Sequence, residues 1–98
     1  MKISAIICTY NRERYLKIAL NALTKQTLSV KNFEVIIVNN NSTDNTKEVC
    51  KEFALNNKNI NVKYFEETSQ GLSFARNKGI KESACPIITF LDDDAYID

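Results

Sequence analysis

Histidine is absent from this chain, and with only 3 cysteines, 2 glycines and 1 proline several chemistries have little to work with. No imidazole is available to activate a thiol or hydroxyl nucleophile, and the commonest nitrogen ligand of zinc is missing. Cys8, Cys50 and Cys85 are odd in number, lie far apart and include no C-x-x-C, so each reads as core packing in an apolar context. Gly71 and Gly79 cannot make a G-x-G-x-x-G or a G-x-x-x-x-G-K-[ST] loop, which excludes the dinucleotide fingerprint and the Walker loop. Long apolar runs are lacking too. The stretch Ile3 to Cys8 is broken by Ser4 and stops at Thr9-Tyr10-Asn11-Arg12, too short for a signal peptide core or a membrane span, so a cytoplasmic chain is expected. Thirteen basic against twelve acidic residues give a net charge of +1 without basic clusters, which argues against nucleic acid or an anionic membrane as the main partner.

Ninety-eight residues, 44% hydrophobic and 26% charged, suit one soluble domain with a single core and no linker. Lys2 to Cys8 reads as a strand. Tyr15, Ile18, Ala19, Ala22 and Leu23 then recur at helical spacing as the buried face of a first helix. The near-continuous apolar run Phe33 to Val38 reads as a strand covered on both faces. After it, Ser42, Thr43 or Asp44 can cap a second helix buried through Thr46, Val49, Cys50, Phe53 and Ala54. A weaker strand spans Asn61 to Phe65. A third helix is marked by Leu72, Ala75, Arg76, Gly79, Ile80 and Ala84. Pro86 then opens a short strand, Ile87 to Leu91, whose β-branched and aromatic content predicts a buried parallel strand. Strands alternating with helices predict an α/β fold, a three-layer α/β/α arrangement with a mostly parallel sheet.

Ligands of such sheets bind outside the carboxyl ends of the strands. Four polar segments fall there: Thr9 to Arg12, Asn39 to Asp44, Glu66 to Gly71, and Asp92-Asp93-Asp94. Alternation along an extended backbone points Asp92 and Asp94 the same way, and two carboxylates that close repel unless a cation lies between them. Their hard oxygens suit Mg²⁺, Mn²⁺ or Ca²⁺. An isolated run of three aspartates is more often a solvated turn, so the company it keeps decides the matter. A cation at Asp94 could bridge a diphosphate, Arg76 could add a bidentate contact, and Thr9, Asn40 and Asn41 offer amide and hydroxyl groups to a base and ribose. The ensemble suits a nucleotide diphosphate.

Five ordered motifs carry a resemblance to family 2 glycosyltransferases of the GT-A fold, over essentially the whole chain. I-I-C-T-Y-N-R at 6 to 12 resembles the opening strand motif, and the segment from Leu20 to Phe33 holds A-L-x-x-Q-T-x-x-x-F-E spacing. V-N-N-N-S-T-D at 38 to 44 resembles V-D-[DN]-[GN]-S-T-D, Q-G-L-S-F-A-R-N-K-G-I at 70 to 80 the G-L-x-x-A-R-N-x-G block, and F-L-D-D-D at 90 to 94 the D-x-D motif. The resemblance implies transfer of a sugar from a nucleotide diphosphate-sugar, in first place a UDP-sugar, to a hydroxyl acceptor. The transfer would be metal-dependent and inverting, in polysaccharide biosynthesis. It implies that Thr9, Tyr10, Asn11 and Arg12 flank the nucleotide pocket, with Asn40, Asn41, Ser42, Gly71, Arg76, Asp92 and Asp93. Asn40 falls where an acidic side chain often accepts from the base. The same resemblance implies that Asp94 and Asp92 hold Mg²⁺ or Mn²⁺, Asp94 more directly.

Asn39 and Asn40 depart from the acids common in that loop. The resemblance also places the acceptor half and the general base beyond residue 98, so residues 1–98 read as a donor-binding part that binds rather than turns over. Two other readings compete: a non-catalytic binding module, and a haloacid dehalogenase-type phosphohydrolase, where Ala95-Tyr96 replaces the usual Gly-Thr. An unpaired sheet edge and an uncovered apolar face predict a homodimer at high concentration.

Overall fold

A computed structural model of the chain describes residues 2–11, 13–25 and 32–92. Within them the chain runs β1 (Ile3–Thr9), α1 (Glu13–Leu23), β2 (Phe33–Asn39), α2 (Thr46–Asn56), β3 (Asn61–Glu66), α3 (Leu72–Glu82) and β4 (Ile87–Asp92). The strands form one sheet in the order β3-β2-β1-β4, and every pairing is parallel. The order steps outward from β1 through β2 to β3 and then jumps back across to β4, so the sheet has a topological switch point between β1 and β4.

Strand β2 is buried at all seven positions, as its near-continuous apolar run requires of a central strand, and Glu34 and Asn39 are buried with it. Alternate residues divide the core into two. Ile7, Val35 and Ile37 face α1 and α2, packing with Leu16, Leu20, Val49 and Phe53, while Ile6, Ile36 and Val38 face α3 through Ala75. Helices therefore cover both faces, giving the expected three layers. Cys50 and Cys85 are core residues, and burial pushes the Cys50 thiol up to about 12, which suits packing rather than reactivity.

Three expectations about packing need correction. The buried stripe of α1 is Leu16, Ala19, Leu20 and Leu23, one position round from the expected face, and Tyr15 and Ile18 are exposed. In α3 the buried residues are Ala75 and Gly79, whereas Leu72 and Ile80 are exposed and Ala84 lies beyond the helix end. Close approach explains this: a Cβ on Gly79 would stand 2.5 Å from Cγ2 of Ile6, so small residues bring the helix onto β1. Finally, β4 is parallel but not buried. It pairs only with β1 among the described residues, leaving Ile87, Ile88 and Phe90 exposed.

Candidate functional site

The register of the sheet brings the predicted segments to one level. Thr9 pairs with Asn39 and Asn39 with Glu66, while Cys8, one residue earlier, pairs with Asp92 across the switch point. The ladders run one step further, the Asn40 amide donating to the Thr9 carbonyl at 2.8 Å and the Glu67 amide to the Asn39 carbonyl at 2.9 Å. The ends of β1, β2 and β3 therefore stay level as they pass into loops.

The loop after β1 and the loop after β2 are joined by Asn11, which adopts φ 50, a left-handed conformation that asparagine tolerates. Its Oδ1 accepts from the Thr43 amide at 2.7 Å, the Asp44 amide at 3.3 Å and the Thr43 hydroxyl at 3.3 Å. Its own amide donates to Ser42 Oγ at 3.0 Å. The N-cap of α2 is Asn45, which makes no side-chain cap hydrogen bond, rather than Ser42, Thr43 or Asp44; Asp44, one residue earlier, supplies the side-chain bonds to the first turn. Its Oδ1 accepts from the Thr46 amide and hydroxyl, and its Oδ2 accepts from the Glu13 amide at the start of α1. Burial pushes the Asp44 carboxyl up, but these bonds outweigh it and hold the group below its ordinary range.

The loops after β2 and β3 are joined by asparagines too. Asn39 donates through Nδ2 to the Tyr64 hydroxyl at 2.9 Å and accepts at Oδ1 from the Ser42 amide at 3.0 Å. Asn40 donates to the carbonyls of Glu67 and Ser69 and accepts from the Gly71 amide. Between these loops lies a cleft of about 90 Å³ lined by Asn39, Asn41, Ser42, Glu66, Glu67 and Thr68. A larger groove of about 330 Å³ runs along α1 and α2, bordered by Lys17, Asn21, Glu52 and Asn57; it holds none of the predicted residues.

Thr9, Asn11, Asn40, Asn41, Ser42 and Gly71 thus gather around connected loops, with Tyr10 exposed beside them. Thr9 is buried, and its Oγ1 has no hydrogen-bond partner among the described residues. Arg76 stands on α3 with its guanidinium 5.3 Å from the centroid of Phe90, two residues before Asp92 on β4. That contact positions the cation beside the strand leading to the aspartates. Arg12, Asp93 and Asp94 lie outside the described residues, and of Asp92 only the backbone position is described. Among the described residues no cluster of three acidic or cysteine ligands is present, so the metal expected at Asp92 and Asp94 rests on the oxygen donors of the sequence.

Thr68 belongs to the expected polar segment Glu66 to Gly71, whereas Tyr64, which accepts from Asn39, lies inside the third strand and outside the expected site. The charge network of Glu34, at the opposite edge of the sheet, was also missed.

The family model described as Glycosyl transferase family 2 matches residues 4–98. The chain is 39% identical over 97 residues to Glycosyltransferase GlyA of Streptococcus pneumoniae, covering 99% of this chain and 13% of that protein. The crystal structure of S. aureus TarS 1-349 in complex with UDP-GlcNAc superposes with a TM-score of 0.89 at 33% identity, covering 100% of this chain and 28% of that one. A mannosyltransferase from Pyrobaculum calidifontis, PcManGT, solved with GDP-Man and Mn²⁺, matches with a TM-score of 0.91 at 24% identity. It covers 95% of this chain and 27% of its own and shows the shared fold. The chain therefore spans under a third of each of these proteins.

Proposed function

Because the chain belongs to glycosyl transferase family 2, we propose that residues 1–98 form the nucleotide-sugar-binding part of an enzyme that moves a sugar from a nucleotide diphosphate to a hydroxyl acceptor. The observation that carries this reading is the pairing of Cys8 with Asp92 across the switch point of the sheet. It supports a crevice at the β1/β4 carboxyl edge, where open α/β sheets bind ligands, with Thr9 ending β1 and Asp92 ending β4. The likeness to TarS, solved with UDP-GlcNAc, supports a UDP-sugar as donor.

Each residue has a role in this reading. The linked loops of Thr9 to Asn11 and Asn39 to Ser42 hold the base and ribose, using the polar groups and the small cleft beside Thr68. Arg76 places its charge near the diphosphate. Asp92 and Asp94 would hold Mg²⁺ or Mn²⁺, which when bound supplies Lewis-acid neutralisation of the leaving diphosphate. Transfer proceeds by displacement with inversion, and the acceptor site and general base belong to a part of the enzyme outside residues 1–98. No helix among the described residues is long and apolar enough to cross a membrane, which is compatible with a cytoplasmic enzyme.

Calorimetric titration with UDP, GDP and dTDP, with and without Mn²⁺, tests the reading. Binding of UDP that requires Mn²⁺ and disappears in Asp94→Asn is expected; absence of binding by all three would overturn it in favour of a non-catalytic module. Self-association of this chain as a homodimer is a separate part of the proposal, motivated by Ile87, Ile88 and Phe90, which are exposed on a strand that pairs only with β1 among the described residues. Light scattering that finds monomer across a wide concentration range would remove that part.

A further inference from the structure

Residue 40 sits where the base would be read, yet its side chain is turned to another task. Asn40 is 5% exposed. Both hydrogens of its Nδ2 are taken, one by the Glu67 carbonyl at 3.0 Å and one by the Ser69 carbonyl at 2.9 Å. Its Oδ1 accepts from the Gly71 amide at 2.9 Å. The main chain of residue 40 is itself fixed to β1, its amide donating to the Thr9 carbonyl at 2.8 Å. One side chain thus fastens three backbone groups of the loop between β3 and α3 to the centre of the sheet.

The order of donors and acceptors fixes which way the amide points. Two carbonyls can only meet the NH₂ end, and an N–H can only meet the oxygen. A carboxylate in its place would set lone pairs against two carbonyl oxygens and could satisfy only Gly71. The held segment ends at Gly71, whose φ of 136 suits glycine and whose carbonyl accepts from the Ala75 amide to open α3. That helix carries Arg76 against Phe90 of β4. The loop and the helix that follows it therefore have their starting geometry set from residue 40.

We propose that Asn40 is a positioning residue, its amide holding residues 67–71 in place as one wall of the donor site rather than reading the base. The wall exists without ligand; only its relevance to a nucleotide rests on the proposed function. Recognition of the base edge then falls to the groups around Asn40, such as Asn41, Ser42 and the backbone of the held loop.

The test is hydrogen exchange resolved by residue, on the full chain without nucleotide, for the wild type and Asn40→Ala, which removes the acceptor of the Gly71 amide together with both donors to the loop carbonyls. The expected result is at least a tenfold loss of protection at the Gly71 amide and its neighbours in Asn40→Ala at pH 7. Protection at Gly71 within twofold of wild type at pH 7, whatever happens to UDP binding, would overturn the proposal. If Asn40→Ala does not fold, the wild type still decides: the Asn40 side-chain NH₂ protons should exchange more slowly than those of exposed Asn41. Equal rates would overturn it. A wild type that does not bind UDP but shows these protection patterns would count against the proposed function and leave the positioning role standing.

Discussion

The ammonium of Lys63 lies 2.9 Å from Oε1 of Glu34, a carboxylate with no exposed surface in the most buried strand of the sheet. Its other oxygen accepts from the Ser4 hydroxyl at 2.6 Å and the Ala84 amide at 2.8 Å, so β1, β2, β3 and the turn into β4 meet at one acid. Burial pushes Glu34 up, but the bonds from Lys63, Ser4 and Ala84 outweigh it and hold the carboxyl at about 2.

A folded value below the unfolded one means stability that is fully present above the ordinary glutamate range and is lost as pH falls from there toward 2. One such group contributes a slope of at most about 1.4 kcal/mol per pH unit. Lys63→Met leaves the buried acid without its counter-charge and should destabilise by about 2–3 kcal/mol at pH 7. Glu34→Gln frees a lysine that is one-third exposed and can turn to solvent, so a smaller loss of about 1–2 kcal/mol is expected. Urea unfolding at pH 7 and pH 4 checks the order of the two variants. It also checks the weaker acid sensitivity expected of Glu34→Gln.

Asn11 combines a left-handed backbone with a carbonyl that serves three donors. Asn11→Ala loses those bonds and strains the backbone, whereas Asn11→Gly loses the bonds alone. Thermal unfolding should rank wild type above Asn11→Gly above Asn11→Ala, with a total span of about 2 kcal/mol. Equal losses in both variants would mean that the backbone conformation contributes nothing.

Gly79 lets α3 rest on Ile6. Gly79→Ala should destabilise by about 1–3 kcal/mol, because a methyl group 2.5 Å from Ile6 Cγ2 forces the helix outward. Combining it with Ile6→Ala removes the obstructing atom, so the double variant should be more stable than the sum of the single losses predicts. A double-mutant cycle in urea measures that coupling.

The sheet was legible because Phe33 and Val35 to Val38 form a near-continuous apolar run; the observed strand adds only Asn39. In α3, Ala75 and Gly79 stood among the spaced residues that marked the helix, but Leu72 and Ile80 in the same set are exposed, because close approach to Ile6 leaves room only for the small pair. In α1 the apolar Tyr15 and Ile18 sit beside the true stripe, and only contact with the sheet selects Leu16 and Leu20. Glu34 gave no sign of being a buried acid, since Lys63 stands 29 residues further along and reaches it only when β3 pairs with β2. At the site, the loops and their polar residues were visible in order along the chain. What Asn11 and Asn40 bind was not, because their partners are mostly backbone groups brought near by folding.

The central claim is that nucleotide binds at the carboxyl edge of the sheet, and a ¹H–¹⁵N correlation titration of the full chain with UDP and Mg²⁺ tests it most directly. Shifts concentrated at Thr9–Asn11, Asn39–Ser42 and Glu67–Gly71 are the predicted result. Shifts confined to the groove of Lys17, Asn21, Glu52 and Asn57, or no shifts at saturating UDP, would contradict it.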